Sequence, residues 1–126
     1  MKEWRWVGLD VVYAIHDRQL AEHGGLDGVR DAGLLESALA RAQNLHAYGE
    51  PDAFDLSAAY AYGIARNHPF SDGNKRTAWI VARLFLADNG CKLRYQPADA
   101  ITAMQSVAAG TLTEAELADW LRSRSL

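Results

Sequence analysis

Apolar residues recur with a helical period over the first third of the chain. The stretch Leu9–His23 predicts a first helix, which the pair Gly24-Gly25 would end. One face of this helix carries the apolar residues Val12, Ile15 and Leu20. A second helix is predicted over roughly Gly33–His46, with Asp31 as its N-cap and Tyr48–Pro51 as the following connection. Its apolar residues fall at helical spacing: Leu34, Leu35, Ala38, Leu39, Ala42 and Leu45.

The two stretches that follow are the most apolar of the chain. A third helix is predicted from about Asp52 to Arg66, and its inner part, Leu56–Ala65, carries no charge. A fourth helix is predicted from about Asn74 to Asn89, where Gly90 would stop it. Its stretch Thr77–Ala87 is apolar nearly all round, which is typical of a central, buried helix.

Two shorter helices complete the prediction. Cys91–Tyr95 favours a short extended piece, and Pro97 then fits the first turn of a fifth helix to about Ala109. The inward residues of that helix would be Ile101, Met104 and Val107. Thr113 and Glu116 have the spacing of a capping box. They would open a last helix that carries Leu117, Trp120 and Leu121. The pattern predicts an all-α bundle of about six helices, with room for a short strand pair at its margins.

Composition narrows the class of protein. The 126 residues fit one domain, 1–126, and 22 alanines against 3 prolines favour helix. A net charge of −3 argues against direct nucleic-acid binding. The single cysteine, Cys91, excludes an intrachain disulfide and suits a reducing compartment. The start of the chain, Met1–Trp6, has no apolar h-region for a signal peptide, and no apolar stretch is long enough for a membrane span, so we expect a cytoplasmic protein without membrane contact.

The segment Arg66–Arg76 is the least core-like part of the chain, although it joins the two most apolar helices. Its cations Arg66, Lys75 and Arg76 against Asp72 give a local charge of +2 within a protein of net charge −3. Gly73 allows a positive φ or a close approach, and Asn74, Lys75 and Arg76 then open the fourth helix. Free N–H groups at a helix start bind anions, most often phosphate, and both cations would assist.

Four residues of this segment have individual roles in the prediction. The Asp72 carboxylate would repel a phosphate unless a metal ion lies between them. Mg²⁺ is commonly bound in this way, by one or two carboxylates together with phosphate oxygens. His68 could act as a general base on a substrate hydroxyl. Phe70 is the one apolar side chain among polar neighbours and is predicted to anchor the loop in the core. Asn74 could fix either the loop or a phosphate through its side-chain amide.

Purely structural explanations compete with these roles. Asp72 could simply cap the fourth helix, and Lys75 and Arg76 could form a solvated first turn, although cations there oppose the helix dipole. The other histidines, His16, His23 and His46, are expected at the surface or partly buried with a partner. Cys91 is expected to be a small buried hydrophobe. The tryptophans are expected in the core rather than on a ligand: Trp4, Trp6, Trp79 and Trp120. For Trp4 and Trp6, which alternate with Arg5, a strand face or a partner surface is the alternative.

The run His68-Pro-Phe-Ser-Asp-Gly-Asn-Lys-Arg76 resembles the signature of the Fic/Doc superfamily, His-x-Phe-x-[Asp/Glu]-[Gly/Ala]-Asn-[Gly/Lys]-Arg, over nine consecutive positions. The segment Gly24–Arg41 is similar to the N-terminal part of its Doc branch, the death-on-curing toxins. Family members that transfer AMP have Gly in place of Lys75 and a second Arg in place of Trp79. Both differences indicate the Doc branch and argue against AMP transfer. The resemblance as a whole implies a Fic/Doc-type helical bundle.

The resemblance implies a toxin that moves the γ-phosphoryl group of ATP to a threonine of translation elongation factor Tu and so stops translation. It implies that His68 is the base, that Asp72 holds Mg²⁺, and that the phosphates are bound by Gly73, Asn74, Lys75 and Arg76. Lys75 and Arg76 would also offset transition-state charge. Arg66, just before the motif, would be a further phosphate ligand, ranked below these residues. Phe70 would anchor the loop.

The resemblance also implies a cognate antitoxin, whose C-terminal segment folds onto the toxin. We expect it to dock as an amphipathic helix near the motif, on the first helix and the loop Gly24–Arg30. Two other functions stay open at this stage. One is Fic-type transfer of AMP or another nucleotide group to a protein hydroxyl, and the other is a non-catalytic module that binds the antitoxin.

Overall fold

Six helices make up the fold in the computed structural model, which describes residues 3–126. They are α1 (Leu9–His23), α2 (Ala32–Tyr48), α3 (Ala53–Asn67), α4 (Asn74–Asp88), α5 (Pro97–Ala109) and α6 (Glu114–Ser123). The described residues contain no sheet. The sequence left room for a short strand pair, and the structure instead has two isolated β-bridges, Val29 with Phe70 and Leu93 with Ser125. The predicted all-α fold class is confirmed.

Side-chain caps mark the starts of three of the six helices. The Asp31 carboxylate accepts from the Leu34 N–H (3.0 Å), which fixes the start of α2. Asp52 and Thr113 each open a capping box, at α3 and α6 respectively. The largest difference is at the end of α2, which extends two residues beyond the predicted His46 to Tyr48.

Helix α3 is the centre of the bundle. Ten of its residues are buried, and α2, α4, α5 and α6 all pack against it. Gly63 lets α2 approach closely, because a Cβ there would lie 3.0 Å from the Cα of Ala38. Helix α4 is the second buried element, with Val81 and Phe85 fully inaccessible. The loop between α3 and α4 is therefore held at both ends by the most rigid part of the molecule.

Two predicted inward residues lie at the surface instead. Ile101 is 60% exposed, because α5 packs through Ala100, Met104 and Val107, and Ile101 is turned about 100° away from that stripe. Leu45 is 36% exposed and borders an open groove beside Pro51. Hydrophobic periodicity predicted both residues to be buried, because it identifies the apolar face of a helix but not how far a neighbouring helix covers that face.

The aromatic residues near the chain start belong to the core. Trp4 and Trp6 are half-buried, and their rings lie 6.0 and 6.1 Å from the ring of Phe85. Trp120 is half-buried on α6 and Cys91 is half-buried after α4. Among the described residues, no helix combines the length and the apolar character needed to cross a membrane.

Candidate active site

The loop between α3 and α4 begins with a strained histidine. His68 has φ 48° and ψ 56°, the left-handed conformation that ends α3, and its N–H donates to the Ile64 carbonyl (3.2 Å). It is the one non-glycine residue with positive φ in residues 3–126. Its side chain is exposed and its ring makes no hydrogen bond within the described chain. A strained residue with a free imidazole is typical of a functional position.

Phe70 and His16 support the loop from below. Phe70 is 1% exposed, and its ring stacks on that of His16 with centroids 3.7 Å apart and planes 9° from parallel. Nε2 of His16 lies 2.8 Å from the carbonyl oxygen of Asp72. A carbonyl only accepts, so Nε2 carries the hydrogen in this bond. His16 thus fixes the backbone of Asp72 as well as the ring of Phe70.

The support by His16 was missing from the sequence prediction. His16 is 2% exposed, more deeply buried than expected, and its polar atom is satisfied. The available signal was its position: with Val12 and Gln19 it forms the buried stripe of α1 at spacing i, i+4, i+7. A histidine within such a stripe must find a partner in the tertiary structure.

The segment before α2 holds the loop from the side. The Ser71 N–H donates to the Gly28 carbonyl (3.0 Å), and the N–H groups of Arg30 and Asp31 donate to the Pro69 carbonyl at 2.7 and 3.0 Å. The Arg30 guanidinium also donates to the carbonyls of His68 and Asn67, both at 2.7 Å. These last carbonyls of α3 carry partial negative charge, so a cation is favoured there. Arg30 is a second supporting residue that the sequence prediction did not include.

The side chain of Asn74 is occupied by the loop. Its Oδ1 accepts from the Phe70 N–H (3.0 Å) and its Nδ2 donates to the Phe70 carbonyl (2.9 Å). Of the two roles considered, fixing the loop is the one this geometry performs. The group that Asn74 offers to an anion is its backbone N–H.

The start of α4 has the arrangement of an anion site. Gly73 is the N-cap with φ 77°, and no side chain caps the helix. The N–H groups of Asn74, Lys75 and Arg76 lie in the first turn, where helical acceptors are lacking. Lys75 and Arg76 are exposed beside them. Backbone donors, the positive end of the helix dipole and two cations are therefore grouped at the start of α4, and both cations line the same cavity.

Asp72 is an exposed, ionised carboxylate. Its Oδ2 accepts from the Leu26 N–H (3.2 Å) and its Oδ1 from the Gly73 N–H (2.9 Å). These two bonds, the Leu26 bond first, lower the pKa of Asp72 below its ordinary value. Each oxygen keeps a free lone pair, as a metal ligand requires.

Most of the motif residues line one cavity of about 760 Å³. It is lined on the loop side by six of the predicted residues: His68, Asp72, Gly73, Asn74, Lys75 and Arg76. Phe70 lies beneath it. Arg66 does not line it, because its guanidinium donates to the Ala108 carbonyl (3.1 Å) at the end of α5. The opposite wall includes Trp79 and Tyr95, which the sequence prediction had not assigned to a site.

A glycine pair tests the placement of the Asp72 carboxylate. A Cβ at Gly25 would lie 2.8 Å from Oδ2 of Asp72, whereas a Cβ at Gly24 would meet nothing within 4 Å. Both glycines have positive φ, 122° and 73°, so both alanine variants carry backbone strain. We expect Gly25→Ala to displace the carboxylate and raise the Asp72 pKa towards its ordinary value, and Gly24→Ala to leave it unchanged.

The carboxyl carbon of Asp72, followed by NMR across the acid range, gives that pKa directly. In the wild type, the two hydrogen bonds to Asp72 stabilise the fold at pH values above the ordinary carboxyl pKa. This stabilisation is lost as the pH falls through the lowered pKa of Asp72. Equal titration of Asp72 in both variants would show that Gly25 does not set its position.

Comparison with known proteins shows which family the chain belongs to. The model of the Fic/DOC family matches residues 6–86. The protein kinase doc of Escherichia phage P1 is 38% identical over 119 residues, 94% of each chain. Toxin Doc of Mycolicibacterium smegmatis is 49% identical over 74 residues, 56% of this chain and 55% of the relative. The chain therefore belongs to the Fic/DOC family, in its Doc branch, as the motif and the Gly24–Arg41 segment had indicated.

Proposed function

We propose that this protein is the toxin of a toxin–antitoxin pair and transfers the γ-phosphoryl group of ATP to a threonine hydroxyl of a target protein. The observation that carries the proposal is the cavity in which the free imidazole of His68 meets the ionised Asp72 and the cationic start of α4. Support comes from the relatives, one named a protein kinase and the other a toxin. We propose translation elongation factor Tu as the target.

The proposed step needs a base and a place for negative charge. The threonine oxygen bonds to the γ-phosphorus, the bond from that phosphorus to the β,γ-bridging oxygen breaks, and ADP leaves. The hydroxyl proton passes to the His68 imidazole. The first-turn N–H groups of α4 and the side chains of Lys75 and Arg76 stabilise the charge on the phosphate oxygens.

Asp72 would hold Mg²⁺. Its carboxylate is exposed and ionised, with a free lone pair on each oxygen, and Mg²⁺ is commonly bound by one or two carboxylates plus phosphate oxygens. When bound, the ion would neutralise phosphate charge and align the phosphate chain. The bonds from Leu26 and Gly73 orient the carboxylate for this task.

Paired labelling reactions test the proposal. Purified protein, Mg²⁺ and elongation factor Tu are incubated with γ-labelled ATP in one reaction and α-labelled ATP in the other, with serum albumin as a control acceptor. We expect label in elongation factor Tu from the γ position alone. Label from the α position would instead establish nucleotidyl transfer. Absence of label from both would contradict elongation factor Tu as the target.

The proposed antitoxin contact has its own support. Four apolar side chains on α1 and the following loop are exposed: Leu9, Val11, Leu26 and Val29. Exposed apolar residues close to a site favour a docked amphipathic segment. We expect the antitoxin's C-terminal peptide to protect amides of α1 and Gly24–Arg30 from hydrogen exchange. Protection confined to other helices would contradict this docking surface.

A further inference from the structure

We propose that His16, Asp17 and Asp27 form a binding site for a divalent transition-metal ion such as Zn²⁺. Asp17 follows His16 on α1, and Asp27 belongs to the loop between α1 and α2. One ligand atom from each of the three side chains lies within 4.8 Å of the other two. None of the three residues lines the cavity of the candidate active site, and the metal site does not depend on the proposed transfer reaction.

The His16 imidazole is held in the form that binds a metal. Its Nε2 carries the hydrogen and donates to the Asp72 carbonyl (2.8 Å), so in the neutral ring Nδ1 has a lone pair and no hydrogen. Although the side chain is only 2% exposed, Nδ1 has no hydrogen-bond partner among residues 3–126. Metal-binding histidines commonly donate their other ring nitrogen to a carbonyl or carboxylate, which fixes the tautomer and the ring orientation. Stacking on Phe70 restrains the ring further.

The two carboxylates supply negative charge that the protein does not neutralise. Asp17 and Asp27 are exposed, and neither forms an ion pair with a lysine or arginine of the described chain. Oδ1 of Asp27 accepts from the Gly28 N–H (2.7 Å), which orients this carboxylate and leaves Oδ2 for a ligand. Two carboxylates this close repel each other, and a divalent cation between them would turn the repulsion into attraction.

The donor set favours a transition metal over Mg²⁺. An imidazole nitrogen together with carboxylate oxygens suits Zn²⁺, whereas Mg²⁺ is bound by oxygen ligands. Three protein ligands leave the fourth tetrahedral position of Zn²⁺ to a water molecule. Ligand chemistry would therefore sort the two ions, with Zn²⁺ at His16 and Mg²⁺ at Asp72.

A metal at this site would tie α1 to the loop that orients Asp72. The ion would join Asp27 to two residues of α1, and the residue before Asp27, Leu26, donates its N–H to the Asp72 carboxylate (3.2 Å). His16 bonds the backbone carbonyl of the same residue. Zn²⁺ binding should therefore slow the hydrogen exchange of the Leu26 and Gly28 amides.

Zinc binding by the full chain tests the site. Calorimetry would measure Zn²⁺ affinity in excess Mg²⁺, and NMR would follow the ring nitrogens of His16 in the same titration. We expect the His16 Nδ1 signal to shift as Zn²⁺ binds. Asp17→Asn and Asp27→Asn should each lower the affinity at least about tenfold, because even the loss of a residue that only orients a metal ligand costs that much. The carboxylates are the residues to replace, since loss of buried His16 would also disturb Phe70 and Asp72.

Asp10 offers a matched control. It is an exposed aspartate of α1, like Asp17, but it is not part of the cluster. Asp10→Asn changes the net charge by the same amount as Asp17→Asn and should leave Zn²⁺ affinity unchanged. Asp72→Asn should also leave it unchanged, because that carboxylate belongs to the proposed Mg²⁺ site.

Four results would overturn the metal site. The first is a wild type that does not bind Zn²⁺. The second is binding with an unshifted His16 Nδ1 signal, which would place the ion at an exposed histidine: His23, His46 or His68. The third is equal affinity in the wild type, Asp17→Asn and Asp27→Asn. The fourth is displacement of Zn²⁺ by an equal concentration of Mg²⁺, which would indicate oxygen ligands alone. None of these measurements uses label transfer, so the metal site and the proposed function stand or fall separately.

Discussion

Replacing His68 by alanine is expected to lower phosphoryl transfer to the target by about 10²- to 10⁴-fold, the usual contribution of a positioned general base. Binding of Mg²⁺ and ATP should change little, because the phosphate donors belong to α4 and not to the histidine. The measurement is the initial rate of γ-label transfer, together with ATP affinity.

Two variants and a control keep this result interpretable. His68 has φ 48°, and asparagine tolerates the left-handed region better than alanine does. His68→Asn therefore removes the base with less backbone strain, and it should lose as much activity as His68→Ala. His23→Ala, at the exposed end of α1, should retain wild-type activity. Transfer at the wild-type rate by both His68 variants would show that another group accepts the proton.

Replacing Phe70 by alanine should have the largest effect on stability, about 3 to 5 kcal/mol, which is typical of a buried aromatic ring. The loss includes the stacking on His16 and the edge contact with Tyr13 (6.2 Å). The Asn74 side chain hydrogen-bonds both the N–H and the carbonyl of Phe70. The cavity left by the missing ring should therefore also loosen the start of α4. Urea unfolding would measure the change in free energy.

Phe54→Ala separates loss of stability from loss of the site. Phe54 is half-buried on α3 and lies under the Arg122 guanidinium at 5.9 Å, away from the loop. We expect a smaller loss of stability and full transfer activity at a temperature where the variant is folded. Phe70→Ala should be inactive even where it is folded. Equal activity of the two folded variants would contradict the role of Phe70 as the loop anchor.

The sequence by itself determined the helices and the chemical content of the loop. Three of the helix starts have hydrogen bonds between residues three apart, such as Asp31 with Leu34 and Thr113 with Glu116, and these can be recognised in a linear sequence. The motif residues are contiguous, so their shared cavity needed only one loop and one helix start. For this reason the helices, and the motif residues that line the cavity, were predictable.

The tertiary structure decided how each motif side chain is used. Asp72 is oriented by the N–H of Leu26, 46 residues away in sequence, and Arg30 holds the end of α3 across 37 and 38 residues. Arg66 belongs to the motif region by sequence, yet its guanidinium binds the end of α5. Such contacts depend on how helices pack against each other, and local propensity contains no information about this.

The cavity wall opposite the loop likewise combines a feature that the sequence predicts with one that only the tertiary structure shows. Trp79 was predictable as an aromatic of an apolar helix, and it is half-buried as such a residue would be. Its meeting with Tyr95 arises because the segment after α4 folds back beside that helix. Ile101 faces out for a related reason, since α5 packs through Ala100 and Met104. Spacing along the chain determined which residues share a helix face, and packing between helices determined whether that face meets the core, solvent or a ligand site.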